Sequence, residues 1–130
     1  MSNTARERAI RLVASRTTEQ LVTLLDMTTP ANVESRMIRA WICDELTRRY
    51  NVQAMGMTTP AIVQALEPLT GVGPRGRKAD VVFIDAYLEV LTHRHPEAAA
   101  AEDKWYEDAD DEAVFARGPI GYVLNAVRAL

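Results

Sequence analysis

The chain has 130 residues, 48% of them hydrophobic and 25% charged, with a formal net charge of -3. These proportions sit near globular averages and argue against disorder, a collagen-like repeat or a cystine scaffold. No apolar run approaches the roughly 20 residues of a membrane-spanning helix. The stretch Met1 to Arg11 is polar with no apolar signal region behind it, so one cytoplasmic domain over residues 1–130 is expected.

The net charge hides an asymmetry. Residues 1–78 hold eleven basic and seven acidic side chains, or +4, whereas residues 79–130 hold four and eleven, or -7. Such halves can steer different partners or attract each other within or between molecules, although solvated helix faces produce the same count.

Residues 4–15 read as a first helix with Ile10, Val13 and Ala14 on one side and arginines on the other. Thr17 and Gln20 have capping-box spacing and restart a helix that places Leu21, Leu24 and Leu25 on one face. Thr28-Thr29-Pro30 gives the strongest start signal, a hydroxyl acceptor before a proline at the first helical position. The helix it opens is expected to reach about Tyr50 and to be the long central one, with Val33, Met37, Ile38, Trp41, Ile42, Leu46 and Tyr50 at three- and four-residue spacing. Glu45 and Arg49, and Asp44 and Arg48, stand in the favourable order for surface pairs four residues apart.

The pentapeptide Met27-Thr-Thr-Pro-Ala31 returns as Met57-Thr-Thr-Pro-Ala61, through duplication or through repeated use of one helix cap. The second copy opens a short helix that Pro68 and Gly71 end or bend. A Gly/Arg-rich loop follows near residues 70–79. Val81 to Leu91 is apolar on nearly all sides and too long for a typical strand, so a buried helix is expected. Pro96 starts another toward Trp105 and Tyr106, residues 108–112 break it or begin the next turn, and Gly118-Pro119 opens a terminal helix with Ile120, Val123, Leu124 and Val127 inward. The fold class is therefore all-α, a compact bundle of six or seven short helices around a long central helix.

Gly71-x-Gly73-x-x-Gly76 matches the dinucleotide-binding glycine pattern, yet that mechanism needs a strand before it and a helix directly after. A flexible connector explains it better. Arg75, Arg77 and Lys78 on the same loop could meet nucleic-acid phosphates, with Arg6, Arg8, Arg11 and Arg16 adding to a common patch, against a sequence pI of about 5.4. His93-x-His95 has metal-ligand character, but alternate residues on a helix point apart and Arg94 lies between them; complementing a helix C-terminus is the simpler role. The acidic run around Trp105 and Tyr106 lacks an EF-hand's glycine and glutamate spacing. Its aromatic rings among Asp108, Asp110 and Asp111 offer a partner-binding patch, the alternative being that both rings pack on the core. No nucleophile motif is present, and Cys43 reads as a structural thiol. A pocket gathering Asp80, Asp85, His93 and the glycine-loop backbone would revive catalysis. The expectation is no enzyme, no cofactor and no metal.

Thr18-Glu-Gln-Leu21, Arg39-Ala-Trp-Ile-Cys-Asp-Glu-Leu-Thr-Arg-Arg-Tyr50 and His95-Pro-Glu-Ala98 together resemble short uncharacterised proteins of actinobacteria and their phages. The resemblance covers about residues 17–50 and the later segment, while residues 55–94 depart from it. It implies a small helical accessory protein of a phage or prophage. The function expected is protein–protein contact, with a partner or a second copy as a homodimer, and the alternative is a nucleic-acid-associated regulator.

Overall fold

A computed structural model describes residues 3–130; Met1 and Ser2, the start of the polar N-terminal stretch, lie outside the described residues. Those residues form eight α-helices: α1 (Asn3–Ser15), α2 (Thr18–Met27), α3 (Val33–Met55), α4 (Thr59–Leu66), α5 (Lys78–Arg94), α6 (Pro96–Asp108), α7 (Glu112–Arg117) and α8 (Ile120–Arg128). A 3-10 turn over Glu67–Leu69 follows α4. The fold is an all-α compact bundle in which the long central α3 packs against α1, α2 and α5, and α5 carries α4, α6 and α8. No helix among the described residues is long and apolar enough to cross a membrane.

The α3 and α5 pair forms the spine. α5 buries Ala79, Val82, Ile84, Ala86, Tyr87, Leu88, Val90 and Leu91, which leaves it only a narrow polar stripe. Its N-terminal turn packs with Leu21, Leu25, Ile42 and Leu46 in one core. Its remaining length packs with Ile62, Leu66, Ile120, Val123 and Leu124 in a second. Tyr50, Phe83 and Tyr87 join the two: Tyr50 meets Phe83 edge-on at 5.1 Å, and Phe83 stacks on Tyr87 at 4.0 Å.

The repeated pentapeptide does two different jobs. Thr58 is the N-cap of α4, its hydroxyl accepting from Ala61 N at 3.3 Å with Pro60 in the first turn. The first copy starts no helix. Thr28 instead ends α2, its N–H and hydroxyl both donating to the Leu24 carbonyl, at 2.9 and 2.6 Å. Arg39 fixes that exit by donating to the carbonyls of Leu25 (2.9 Å) and Thr28 (2.6 Å). The expected start at Thr29-Pro30 thus gives way to Asn32, which exchanges capping hydrogen bonds with Ser35, and α3 runs on to Met55. Val33, expected inward, is 63% exposed as a result.

Other local readings hold or shift for simple reasons. Thr17 and Gln20 form the expected capping box. Glu45 pairs with Arg49 at 2.8 Å and also takes Arg48, whose guanidinium reaches it rather than Asp44. The loop ends at Arg77, two residues sooner than expected, because Lys78 and Ala79 already belong to α5. In α8, Ile120, Val123, Leu124 and Val127 are buried as expected. α1 buries no residue at all, and Leu24 of α2 is also exposed.

The two copies of the pentapeptide supply an internal control. Thr58→Ala removes a working cap and is expected to cost about 1 kcal/mol of stability, whereas Thr29→Ala, which caps nothing, should stay within about 0.5 kcal/mol of the parent in urea denaturation.

Candidate functional site: an aromatic cleft with unpaired carboxylates

The loop after the 3-10 turn docks on the junction of α7 and α8 through glycine. Gly118 has φ +75, and a Cβ there would lie 2.5 Å from the Val72 carbonyl oxygen and 2.9 Å from Gly73 Cα. A Cβ on Gly73 would run into the Ala116 carbonyl. These glycines permit backbone to approach backbone, and no strand precedes them, so the dinucleotide-like spacing serves packing. The close approach brings Val72 and Pro74 over Phe115 and Pro119 and closes one wall of a cleft of about 320 Å³.

The opposite wall is α5, through Val81, Ile84 and Asp85, and the floor is the end of α6, through Trp105 and Tyr106. Trp105 is 3% exposed, and its indole N–H donates to the Val114 carbonyl at 3.1 Å. It packs edge-on to Tyr106 at 5.0 Å and stacks with Phe115 at 6.1 Å. As a partner contact Trp105 is therefore corrected to a core ring that supports the cleft. Its neighbour Tyr106, one position round the helix, is 66% exposed.

The acidic run divides by role. Asp108 accepts from the Tyr122 hydroxyl at 2.7 Å and pairs with Lys104 at 3.2 Å, tying α6 to α8. Those hydrogen bonds, Tyr122 first and Lys104 second, hold its carboxyl below the ordinary range. Asp111 is the N-cap of α7, accepting from Ala113 N at 2.9 Å, which fixes where Phe115 falls. Both were expected in a binding patch, and each has a partner within the fold. Asp110 is exposed and makes no side-chain hydrogen bond or ion pair among the described residues.

The cationic loop is largely neutralised. Arg75 pairs with Glu112 and lies over the Phe115 ring at 5.1 Å, and Arg77 pairs with Asp26 through both carboxylate oxygens. Lys78 alone of the three has no ion pair among the described residues.

The sequence patch missed the carboxylates that matter most here. Asp85 lines the cleft, and burial against its apolar wall raises its pKa, partly offset by Lys78. Glu102 is raised by burial, then by the negative charges of Asp85 and Asp103. The Tyr106 phenol is raised by burial and by the same three carboxylates. Neither Asp85 nor Glu102 has a side-chain hydrogen bond or ion pair among the described residues. Of the groups that could have revived catalysis, Asp85 and Gly73 meet in the cleft while Asp80 and His93 do not line it.

His93 borders a separate hollow with Asn51, Met55 and Glu89, and His95 Nε2 lies 3.0 Å from the Thr59 hydroxyl. Among the described residues no group of three or more His, Cys, Asp or Glu could hold a metal ion. The Cys43 thiol is half-buried, and burial pushes its pKa up. Comparison with family models, with curated proteins and with solved structures finds no match to this chain.

Two predictions follow from this geometry. Gly118→Ala should destabilise by about 1–3 kcal/mol in urea denaturation, and Gly71→Ala, with open space around it, should be close to neutral. Raised carboxyl pKa values mean that the folded chain holds these protons more tightly than the unfolded one. Asp85 and Glu102 thus favour the fold below the ordinary carboxyl range and lose that contribution as pH rises through their raised values. Asp85→Asn should therefore be more stable than the parent at neutral pH, with the gap closing in acid.

Proposed function

We propose that the protein is a non-enzymatic accessory protein that works by protein–protein contact, taking a cationic amphipathic helix of a partner into the cleft. The observation that carries this reading is the placement of the unpaired Asp85 in the lining of the cleft beside Tyr106 and Phe115, with the unpaired Glu102 one turn before Tyr106 on α6. An apolar face entering the cleft would bury the rings, and lysine or arginine on its flanks would meet the carboxylates. Each carboxylate repels the other, so a bound cation relieves a cost that the free protein bears. The resemblance over residues 17–50 supports the finer reading of a phage or prophage accessory role.

A nucleic-acid contact through Arg75, Arg77 and Lys78 draws less support. Two of these cations already have carboxylate partners within the fold, and the cleft beside them is lined by an acid. An electrophoretic shift at low salt should show no binding that depends on these three side chains.

The test is a titration with a synthetic Leu/Arg helical peptide, followed by Trp105 fluorescence in a Trp41→Phe background. A saturable change is expected, weaker at high salt and weaker as pH falls through the raised carboxyl values. Tyr106→Ala and the pair Asp85→Asn/Glu102→Gln should each weaken binding about tenfold or more. Equal binding by these variants, or no binding by the parent, would overturn the reading.

A further inference from the structure

Charges without an ion pair among the described residues occur along the whole chain, and two groups of them stand out. Arg48, Arg49, Arg75, Arg77, Lys104 and Arg128 all reach carboxylates within the chain. Arg6, Arg8, Arg11 and Arg16, at the N-terminal end, reach none among the described residues. Around the cleft Asp85, Glu102, Asp103 and Asp110 make no ion pair among the described residues, and the one cation that acts on Asp85 is Lys78, seven residues before it on α5.

The cationic end is a helix with little to hold it. α1 buries no residue; it leans on α3 with Val13 half-buried and leaves Leu12 53% exposed. Arg8, Arg11 and Leu12 stand at i, i+3 and i+4, so an apolar side chain and two unpaired guanidiniums share the outward face. Arg49 keeps the end of α1 in place by donating to the Ala14 carbonyl at 3.0 Å. The cleft is lined only by residues of the 72–119 segment, so α1 of the same chain does not enter it.

We infer that the cleft's occupant is the outward face of α1 from a second copy of this chain, with Leu12 entering against Tyr106 and Phe115 and with Arg8 and Arg11 meeting Asp85 and Glu102. This rests on the cleft being a docking site for a cationic helix. The two surfaces differ, so the contact is head to tail. A bound pair still offers one free cleft and one free α1, and association continues into chains or a ring. A single leucine anchor with flanking surface ion pairs makes a weak contact that salt loosens.

Sedimentation of the full chain tests this with two variants. One has a disabled helix face (Arg8→Glu, Arg11→Glu, Leu12→Ala), the other a disabled cleft (Tyr106→Ala, Asp85→Lys), and circular dichroism checks that both keep the parent's helix content. The parent's average mass should rise with concentration and fall with salt. Each variant alone should lose about tenfold or more in association constant. Mixed together they should form a pair and stop there, because one supplies the only working cleft and the other the only working helix. A parent that stays monomeric, variants that associate like the parent, or a mixture that forms no pair would overturn the inference. A monomeric parent that still binds the Leu/Arg peptide in its cleft defeats the self-association alone, whereas loss of both defeats the docking site as well.

Discussion

The structure depends on one helix, α5, being apolar over most of its circumference. α5 contributes to both cores, and the aromatic run from Tyr50 through Phe83 to Tyr87 couples them along its seam with α3. Such a helix is stable only when other helices cover it, because each large apolar side chain left in water forfeits about 1.5–3 kcal/mol. α2, α3, α4, α6 and α8 supply that cover. Within the helix the cover is incomplete along Asp85, Glu89 and His93, which are exposed at four-residue spacing. Asp85 opens onto the aromatic cleft, and Glu89 and His93 onto the shallower hollow beside Asn51. The candidate site is thus a gap in the covering of the central core.

Much of the fold was legible because its signals are periodic. The continuous apolar run at Val81–Leu91 and the spacing of Ile120, Val123, Leu124 and Val127 each lead to the elements observed. The start of α3 was not legible from Thr28-Thr29-Pro30, since the same residues serve as a cap or as an exit depending on whether a preceding helix claims the threonine. At Met27-Thr28 a helix has just ended and its Leu24 carbonyl takes both donors of Thr28. Residue α7 start at Asp111 was hidden for a related reason: in a run of acids, no pattern singles out the one that caps.

The site was legible only in outline. Aromatic rings among acids suggested a contact patch near residue 105, and the cleft does lie there. Trp105 could have been assigned inward, because Ala98, Ala101 and Trp105 recur at helical spacing and share α6's inner face, with Tyr106 one step round. Asp85 and Glu102 were harder to find. Their significance comes from long-range packing of α5 against α6, which composition and local spacing do not encode. Once internal pairs such as Arg77–Asp26 and Arg128–Glu67 are removed, the charge asymmetry leaves arginines on α1 and carboxylates near the cleft without ion pairs among the described residues, with others such as Glu7 and Lys78 between them.

The central claim is that the cleft between α5, α6 and the 72–74 loop is where this protein meets a cationic helix. The most direct measurement is a proton–nitrogen correlation spectrum of the labelled chain during titration with the Leu/Arg peptide. Perturbations should concentrate at Val72, Gly73, Asp85, Tyr106 and Phe115 and saturate together. Perturbations spread evenly over the acidic surface, or centred on the hollow beside His93, would contradict the account.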